Sequence, residues 1–161
     1  MIIIGVIASI MVFNAVYPAI QESSDTMIRM QAQVDERMQT QIEIIHAGGE
    51  LDSGGAWNDT NGDGRFNVFV WDKNVGLNRI GAIEQLDLFF GPQGNFSRVP
   101  HESDAGGSYP YWNYTLENDS NWDPTATLAI TIHFSAPLSS GRYFIKTVTP
   151  NGAEDEMFLG L

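Results

Sequence analysis

Cysteine is absent from this sequence, and basic residues are scarce. The 161 residues include 8 Lys and Arg against 20 Asp and Glu, which gives a formal net charge of -12. Without cysteine, a disulfide framework, a thiolate nucleophile and a Cys-ligated zinc site are excluded. Because phosphate neutralisation requires clustered cations, the charge balance also argues against a nucleic-acid partner.

Charged side chains are missing altogether from residues 1–21. The stretch 1–20 is apolar almost throughout and is interrupted only by Gly5, Ser9 and Asn14. A helix of about 20 residues spans roughly 30 Å of hydrocarbon. A cleavable signal peptide would begin with basic residues, yet the first basic residue is Arg29. We therefore interpret the stretch as a mature N-terminus from which a leader has been removed.

Helical periodicity continues beyond Pro18. Apolar residues recur every three or four positions at Met27, Met30, Val34, Met38, Ile42 and Ile45. Gly48-Gly49 is a suitable stop, so the pattern predicts one helix over residues 1–47. A single-pass membrane anchor followed by a surface helix is the alternative. The spacing of Gly5 and Ser9, and the polar Asn14, favour packing between helices.

The pattern changes to short β-type runs from about residue 48. Five strands are predicted, at residues 67–72, 85–90, 128–134, 142–149 and 156–159. Residues 100–124 are interpreted as a surface excursion held by Tyr109, Tyr111, Trp112 and Trp122. Strands without intervening helices indicate an antiparallel, Ig-like β-sandwich over residues 48–161. The predicted fold class is α+β, a long N-terminal helix followed by this sandwich.

A calcium-loop pattern precedes the first of these strands. Asp59, Asn61, Asp63 and Asn67 stand at positions 1, 3, 5 and 9 of an EF-hand-type loop. The usual Glu at position 12 is replaced by Val70. The alternative is a plain Asn/Asp/Gly turn. An ion here would be a structural Ca²⁺, and no cofactor is required.

Catalytic motifs are not found in the sequence. The three histidines lack HExxH spacing, and neither a GxSxG elbow nor a P-loop occurs, so an enzyme is not expected. Four Asn-x-Ser/Thr sequons suggest N-glycans on an extracellular surface, at Asn58, Asn95, Asn113 and Asn118.

The aliphatic start, the long amphipathic segment to Ile45 and the C-terminal sandwich together resemble archaellins, the filament subunits of the archaellum. The segments 67–76 and 83–91 contribute to this resemblance. Type IV pilins usually carry Glu at the fifth mature position, where this chain has Gly5, which moves it from pili towards archaellins. The resemblance implies a pilin-like helix, processing of a class III signal peptide, and a filament used for motility.

By that resemblance, the chain is a non-enzymatic structural subunit that polymerises through its N-terminal helix, either with copies of itself or together with paralogous subunits. It would sit in the membrane before assembly and in an extracellular cell-surface filament afterwards. The expected polymerisation core consists of Ile2, Ile3, Ile4, Gly5, Val6, Ile7, Ser9, Ile10, Met11, Phe13, Asn14, Val16, Met27, Met30, Val34 and Met38.

Two alternatives remain open at this point. The sandwich also resembles archaellar stator proteins, which keep the N-terminal helix as a membrane anchor and bind the surface layer. An adhesive type IV-like pilus subunit is the other alternative, in which the Tyr/Trp-rich residues 109–122 contact surfaces or sugars.

Overall fold

The computed structural model describes residues 21–22, 24–32, 34–35, 39–60 and 62–161. The chain divides into two compact units, residues 1–38 and residues 39–161. In the first unit, residues 21–22, 24–32 and 34–35 are helical. Met27, Met30 and Val34 of the expected polymerisation core are exposed on this unit. The other members of that core, from residues 2–16 and at Met38, lie outside the described residues.

No helix within the described ranges is long and apolar enough to cross a membrane. The predicted apolar span, residues 1–20, lies outside those ranges.

The second unit is built from eight antiparallel strands in two four-stranded sheets. The first sheet has the order β1-β2-β6-β5 and the second has the order β4-β3-β7-β8. In chain order the strands are β1 Ile42–Gly49, β2 Phe66–Asn74, β3 Asp87–Pro92, β4 Ser97–Val99, β5 Tyr111–Glu117, β6 Thr127–Phe134, β7 Arg142–Val148 and β8 Glu154–Gly160. A 3-10 turn, Ile83–Gln85, precedes β3, and a short helix, Glu102–Ala105, lies between β4 and β5.

Alternating residues of the two sheets form one apolar core. Val70 and Ile130 come from the first sheet, and Leu88 and Ile145 come from the second. All four are at most 1% exposed. This arrangement is the β-sandwich geometry, in which each strand turns every second side chain inwards.

The α+β assignment is wrong, because the described part of the chain is mostly β. The helix expected to continue through residue 47 gives way to β1, which begins at Ile42 and pairs with β2. Ile42 and Ile45 have the spacing of a helix, whereas Ile42 and Ile44 have the spacing of a strand. In the structure Ile42 and Ile44 are buried and Ile45 is exposed. Pairing with β2 decides between the two periods, and β-branched side chains favour the strand.

The five strands predicted from the sequence are present, but three others are not foreseen by it. These are β1, β4 and β5. The excursion expected at residues 100–124 contains β5, which pairs with β6. Trp112 and Trp122 from this stretch belong to the core. Only Tyr109 and Tyr111 of its four aromatic anchors remain at the surface or half-buried.

Candidate interaction surface

Three phenylalanines lie side by side on the outer face of the second sheet. Phe144 of β7 is opposite Phe158 of β8, and their ring centroids are 5.3 Å apart. Phe96, from the turn between β3 and β4, packs on Phe144 with a centroid distance of 4.5 Å. Phe96 and Phe158 are 48% and 43% exposed, whereas Phe144 is 8% exposed beneath them. We call these three residues the phenylalanine patch.

Gly91 makes room for this arrangement. It lies opposite Phe144 in β3, and a Cβ atom at this position would be 2.6 Å from the Asn95 carbonyl oxygen and 2.7 Å from the Phe96 Cα. Only glycine permits so close an approach of the turn to the strand. The turn is held by the Asn95 amide, which donates to the Pro92 carbonyl at 2.8 Å. Backbone geometry therefore places Phe96 on the sheet.

Cations surround the patch. The Arg142 guanidinium lies 4.4 Å from the centre of the Phe158 ring, within the range of a cation–π contact. Lys146 pairs with Glu154 at 2.9 Å, and Arg98 pairs with Asp87. No acidic side chain among the described residues forms an ion pair with Arg142. Exposed aromatic residues beside arginine are typical of the residues that dominate protein–protein binding energy.

The predicted calcium loop is stabilised by hydrogen bonds to its own backbone. The Asp59 carboxylate accepts from the amides of Gly62, Asp63 and Gly64 at 2.7–3.1 Å. Asn67 lies in the interior, where its amide nitrogen donates to Glu50 at 2.9 Å. Asn61 lies outside the described residues. Within the described ranges, no group of three or more His, Asp or Glu side chains could hold a metal, and the calcium site stays a prediction.

A chain of polar side chains runs from Glu50 to Glu102 across strands β2, β6 and β5 of the first sheet. Asn67 turns its Oδ1 to His133 Nδ1 at 2.7 Å, and Asn113 turns its Oδ1 to His133 Nε2 at 3.1 Å. Asn113 Nδ2 donates to Glu102 Oε2 at 3.3 Å. Burial lowers the pKa of His133, and Arg65 lowers it further, while Asp63, Glu102 and Glu50 act in the opposite direction. The sequence motifs contained no signal for this network, because its members come from distant parts of the chain.

The four sequons differ in their surroundings. Asn58, Asn95 and Asn118 are exposed, whereas Asn113 is half-buried on β5. The Asn113 amide nitrogen, to which a glycan would be attached, already donates to Glu102. A glycan on Asn113 would break this hydrogen bond to Glu102, and the side chains of the other three asparagines make no such bond.

Asp72 is a carboxyl group inside the sandwich. It is 0% exposed, and its Oδ2 accepts from Thr147 Oγ1 at 2.7 Å. Its Oδ1 has no hydrogen-bond partner. Burial raises the pKa of Asp72 to about 7, and the neighbouring Asp155 adds to this effect while the Thr147 hydroxyl opposes it.

Comparison with known proteins relates the sandwich to the archaellum machinery. The archaellum periplasmic stator protein FlaG from Sulfolobus acidocaldarius matches with a TM-score of 0.56 and 30% identity, over 74% of this chain and 99% of that chain. A chain of the complex of the stator proteins FlaF and FlaG from the same organism matches with a TM-score of 0.55 and 30% identity, over 74% of this chain and 89% of that chain.

In sequence, an uncharacterized protein of Archaeoglobus fulgidus is 26% identical over 136 residues, which cover 81% of this chain and 72% of the relative. No family model matches the chain. These matches confirm the part of the sequence resemblance that relates the chain to the archaellum. The likeness is to stator proteins, however, and not to the filament subunit, and these relatives are not enzymes.

Proposed function

Since the chain belongs to the family of the archaellum periplasmic stator protein FlaG, we propose that it is a stator component of an archaellum and not a subunit of the filament. The observation that carries this proposal is the 30% identity to FlaG over 99% of the FlaG chain. A stator must be fixed to the cell envelope while the filament turns. A protein in this role needs an attachment to the envelope and a binding surface for its partners.

The attachment is assigned to residues 1–20. This stretch contains no charged residue, and its length matches the hydrocarbon thickness of a membrane. In the stator role the stretch stays in lipid, where the pair Gly5 and Ser9 and the polar Asn14 favour packing against another membrane helix. The sandwich then lies on the outer side of the membrane, as the periplasmic location of the FlaG relative suggests.

The binding surface is assigned to the phenylalanine patch, and its partner to a FlaF-type stator protein. A solved relative is a complex of FlaF and FlaG, which makes a second stator protein the first candidate. Phe96 and Phe158 supply exposed apolar area, and Arg142 supplies a cation that a partner carboxylate can meet. An aromatic centre with arginine beside it has the composition of a binding hot spot.

Deletion of the gene in its native cell separates a stator from a filament subunit. We expect cells that still assemble filaments of normal length but do not swim, because the filament would no longer work against a fixed point. Electron microscopy and motility tracking are the two measurements. Filaments of the parent cells composed mainly of this chain by mass spectrometry, together with the loss of all filaments on deletion, would show that the chain is a filament subunit.

Substitution of Phe158 by alanine tests the binding surface. Loss of a hot-spot aromatic residue costs about 2 kcal/mol, which weakens binding by about 30-fold. Binding of the full chain to the FlaF-type protein of the same cell is measured by calorimetry. Leu77→Ala is the matched control, because Leu77 is 77% exposed in the loop after β2, away from the patch. Equal losses for Leu77→Ala and Phe158→Ala, or no loss for either, would remove the patch from the interface.

A further inference from the structure

A second surface feature lies beside the short helix Glu102–Ala105 and the start of β5. It is an open cleft of about 540 Å³, and its lining includes Arg65, His101, Glu102, Ser103, Tyr109 and Tyr111. We call it the tyrosine cleft. Pockets of about 300–1,000 Å³ are the usual size for small-molecule sites. The volume is large enough for one or two sugar rings, and the lining decides which chemistry suits it.

One wall of the tyrosine cleft combines aromatic rings with a cation. The ring centroids of Tyr109 and Tyr111 are 5.3 Å apart, and the rings are inclined by 39°. The Arg65 guanidinium lies 5.9 Å from the centre of the Tyr111 ring. Tyr109 is 41% exposed. This wall therefore offers an apolar aromatic surface with hydrogen-bond donors at its edge.

The lining of the cleft also includes the Glu102 carboxylate, which hydrogen bonds between neighbouring side chains position. Asn113 donates to Glu102 Oε2 at 3.3 Å, and Asn113 itself is held by His133 at 3.1 Å. His133 is 5% exposed, and the Tyr111 ring packs on it with a centroid distance of 4.9 Å. The same network thus positions both Glu102 and Tyr111. Hydrogen bonds and packing from neighbouring side chains of this kind keep a binding group in a fixed geometry.

The charges narrow the class of ligand. A phosphate group would meet one arginine but also the Glu102 carboxylate, in a chain of net charge -12. A purely apolar ligand would remove water from Arg65 and Glu102 without forming hydrogen bonds to either charged group, which costs binding free energy. A sugar ring has apolar C–H faces and a rim of hydroxyl groups. It satisfies the aromatic wall and both charged groups together.

We infer that the tyrosine cleft binds a pyranose unit of a glycan. The C–H face of the ring stacks on Tyr109 and Tyr111, neighbouring hydroxyl groups donate to Glu102, and Arg65 donates to hydroxyl or ring oxygens. This inference does not depend on the stator role. The cleft is formed beside β5 of the first sheet, and the phenylalanine patch lies on β7 and β8 of the second, so that variants affect one without the other.

The test uses the full chain in a zwitterionic detergent that has no sugar headgroup, because residues 1–20 are apolar. Methyl α-D-mannoside, methyl β-D-glucoside and methyl N-acetyl-β-D-glucosaminide are the probes, measured by saturation-transfer NMR and by calorimetric titration. For a ligand this small we expect a Kd of about 1 mM. Glu102→Gln and Tyr109→Ala are each expected to weaken binding by about tenfold, and Phe158→Ala is expected to leave it unchanged.

Two results would overturn the inference. One is the absence of saturation transfer to all three probes. The other is binding that survives Glu102→Gln and Tyr109→Ala at full strength in protein whose thermal melting matches that of the original chain. Glu102 and Tyr109 are exposed, so both variants should fold, and Glu102→Gln also preserves the shape of the side chain. Failure of this test leaves the motility result for the stator role unaffected.

Discussion

Replacement of Asp72 by asparagine should remove a pH dependence of stability that the buried carboxyl group imposes on the sandwich. Asp72 is fully buried between the sheets, with one oxygen bonded to Thr147 and the other without a partner. Its pKa is raised from 3.8 to about 7, first by burial and then by Asp155. Asparagine has nearly the same shape, and it cannot ionise.

The sign follows from the number of protons that each state binds. Between pH 3.8 and about 7 the folded chain keeps the Asp72 proton and the unfolded chain loses it. The stabilisation is therefore fully present at low pH, and the free energy of unfolding falls as the pH rises through this window. A difference of about 3 pH units corresponds to roughly 4 kcal/mol at most, since each unit contributes 1.36 kcal/mol.

The assay is urea unfolding of the full chain at a series of pH values, followed by the fluorescence of its four tryptophans, of which Trp112 and Trp122 are buried. We expect Asp72→Asn to lie within about 1 kcal/mol of the original chain near pH 4.5 and to exceed it by a few kcal/mol near pH 8. His133 has a lowered pKa and contributes with the opposite sign. Because both proteins contain His133, its contribution cancels in their difference.

Asp87→Asn is the matched control. It removes the same charge from a side chain that is 46% exposed and paired with Arg98 on the surface. Exposed pairs contribute about 0–1 kcal/mol, so this variant should stay close to the original chain at every pH. The reasoning is refuted if the difference between Asp72→Asn and the original chain does not change between pH 4.5 and pH 8.

Three further predictions concern the turns and the surface. Gly91→Ala should lower the free energy of unfolding by about 1–3 kcal/mol, because its Cβ would overlap the Asn95–Phe96 backbone. Gly81→Ala, where a Cβ meets nothing within 4 Å, should not, and equal melting temperatures would contradict the packing argument. For the calcium loop, we expect EGTA to leave the melting temperature unchanged and Asp59→Ala to lower it, since Asp59 caps three backbone amides. A calcium-dependent rise that Asp59→Ala abolishes would establish the ion instead. For the sequons, peptide mass spectrometry should find glycans at Asn58, Asn95 or Asn118 and none at Asn113, whose amide nitrogen is bonded to Glu102. Occupancy at Asn113 would show that this bond is absent in the cell.

Sequence patterns predicted the strands in which alternation and turn residues coincide. In β6, Leu128, Ile130 and Ile132 are all buried, and the alternation of apolar residues was sufficient. The pattern failed for β1, because Ile42 and Ile45 satisfy a helical period and Ile42 and Ile44 satisfy a strand period. Only the partner strand β2 decides between them, and a single sequence does not contain that information.

The surfaces proposed for binding were harder to foresee than the strands, for a related reason. Phe96, Phe144 and Phe158 are far apart in the chain and are brought together by the pairing of β7 with β8 and by the turn that Gly91 permits. Arg65 and Glu102 meet Tyr109 and Tyr111 only because β2, β6 and β5 are neighbours in one sheet. The Tyr/Trp-rich stretch signalled the aromatic half of the tyrosine cleft, and the fold supplied the charged half. The tryptophans and the tyrosines of the stretch therefore have different roles. Trp112 and Trp122 stabilise the core, and Tyr109 and Tyr111 remain available to a ligand, so substitutions at the tryptophans should reduce stability first and substitutions at Tyr109 should reduce binding first.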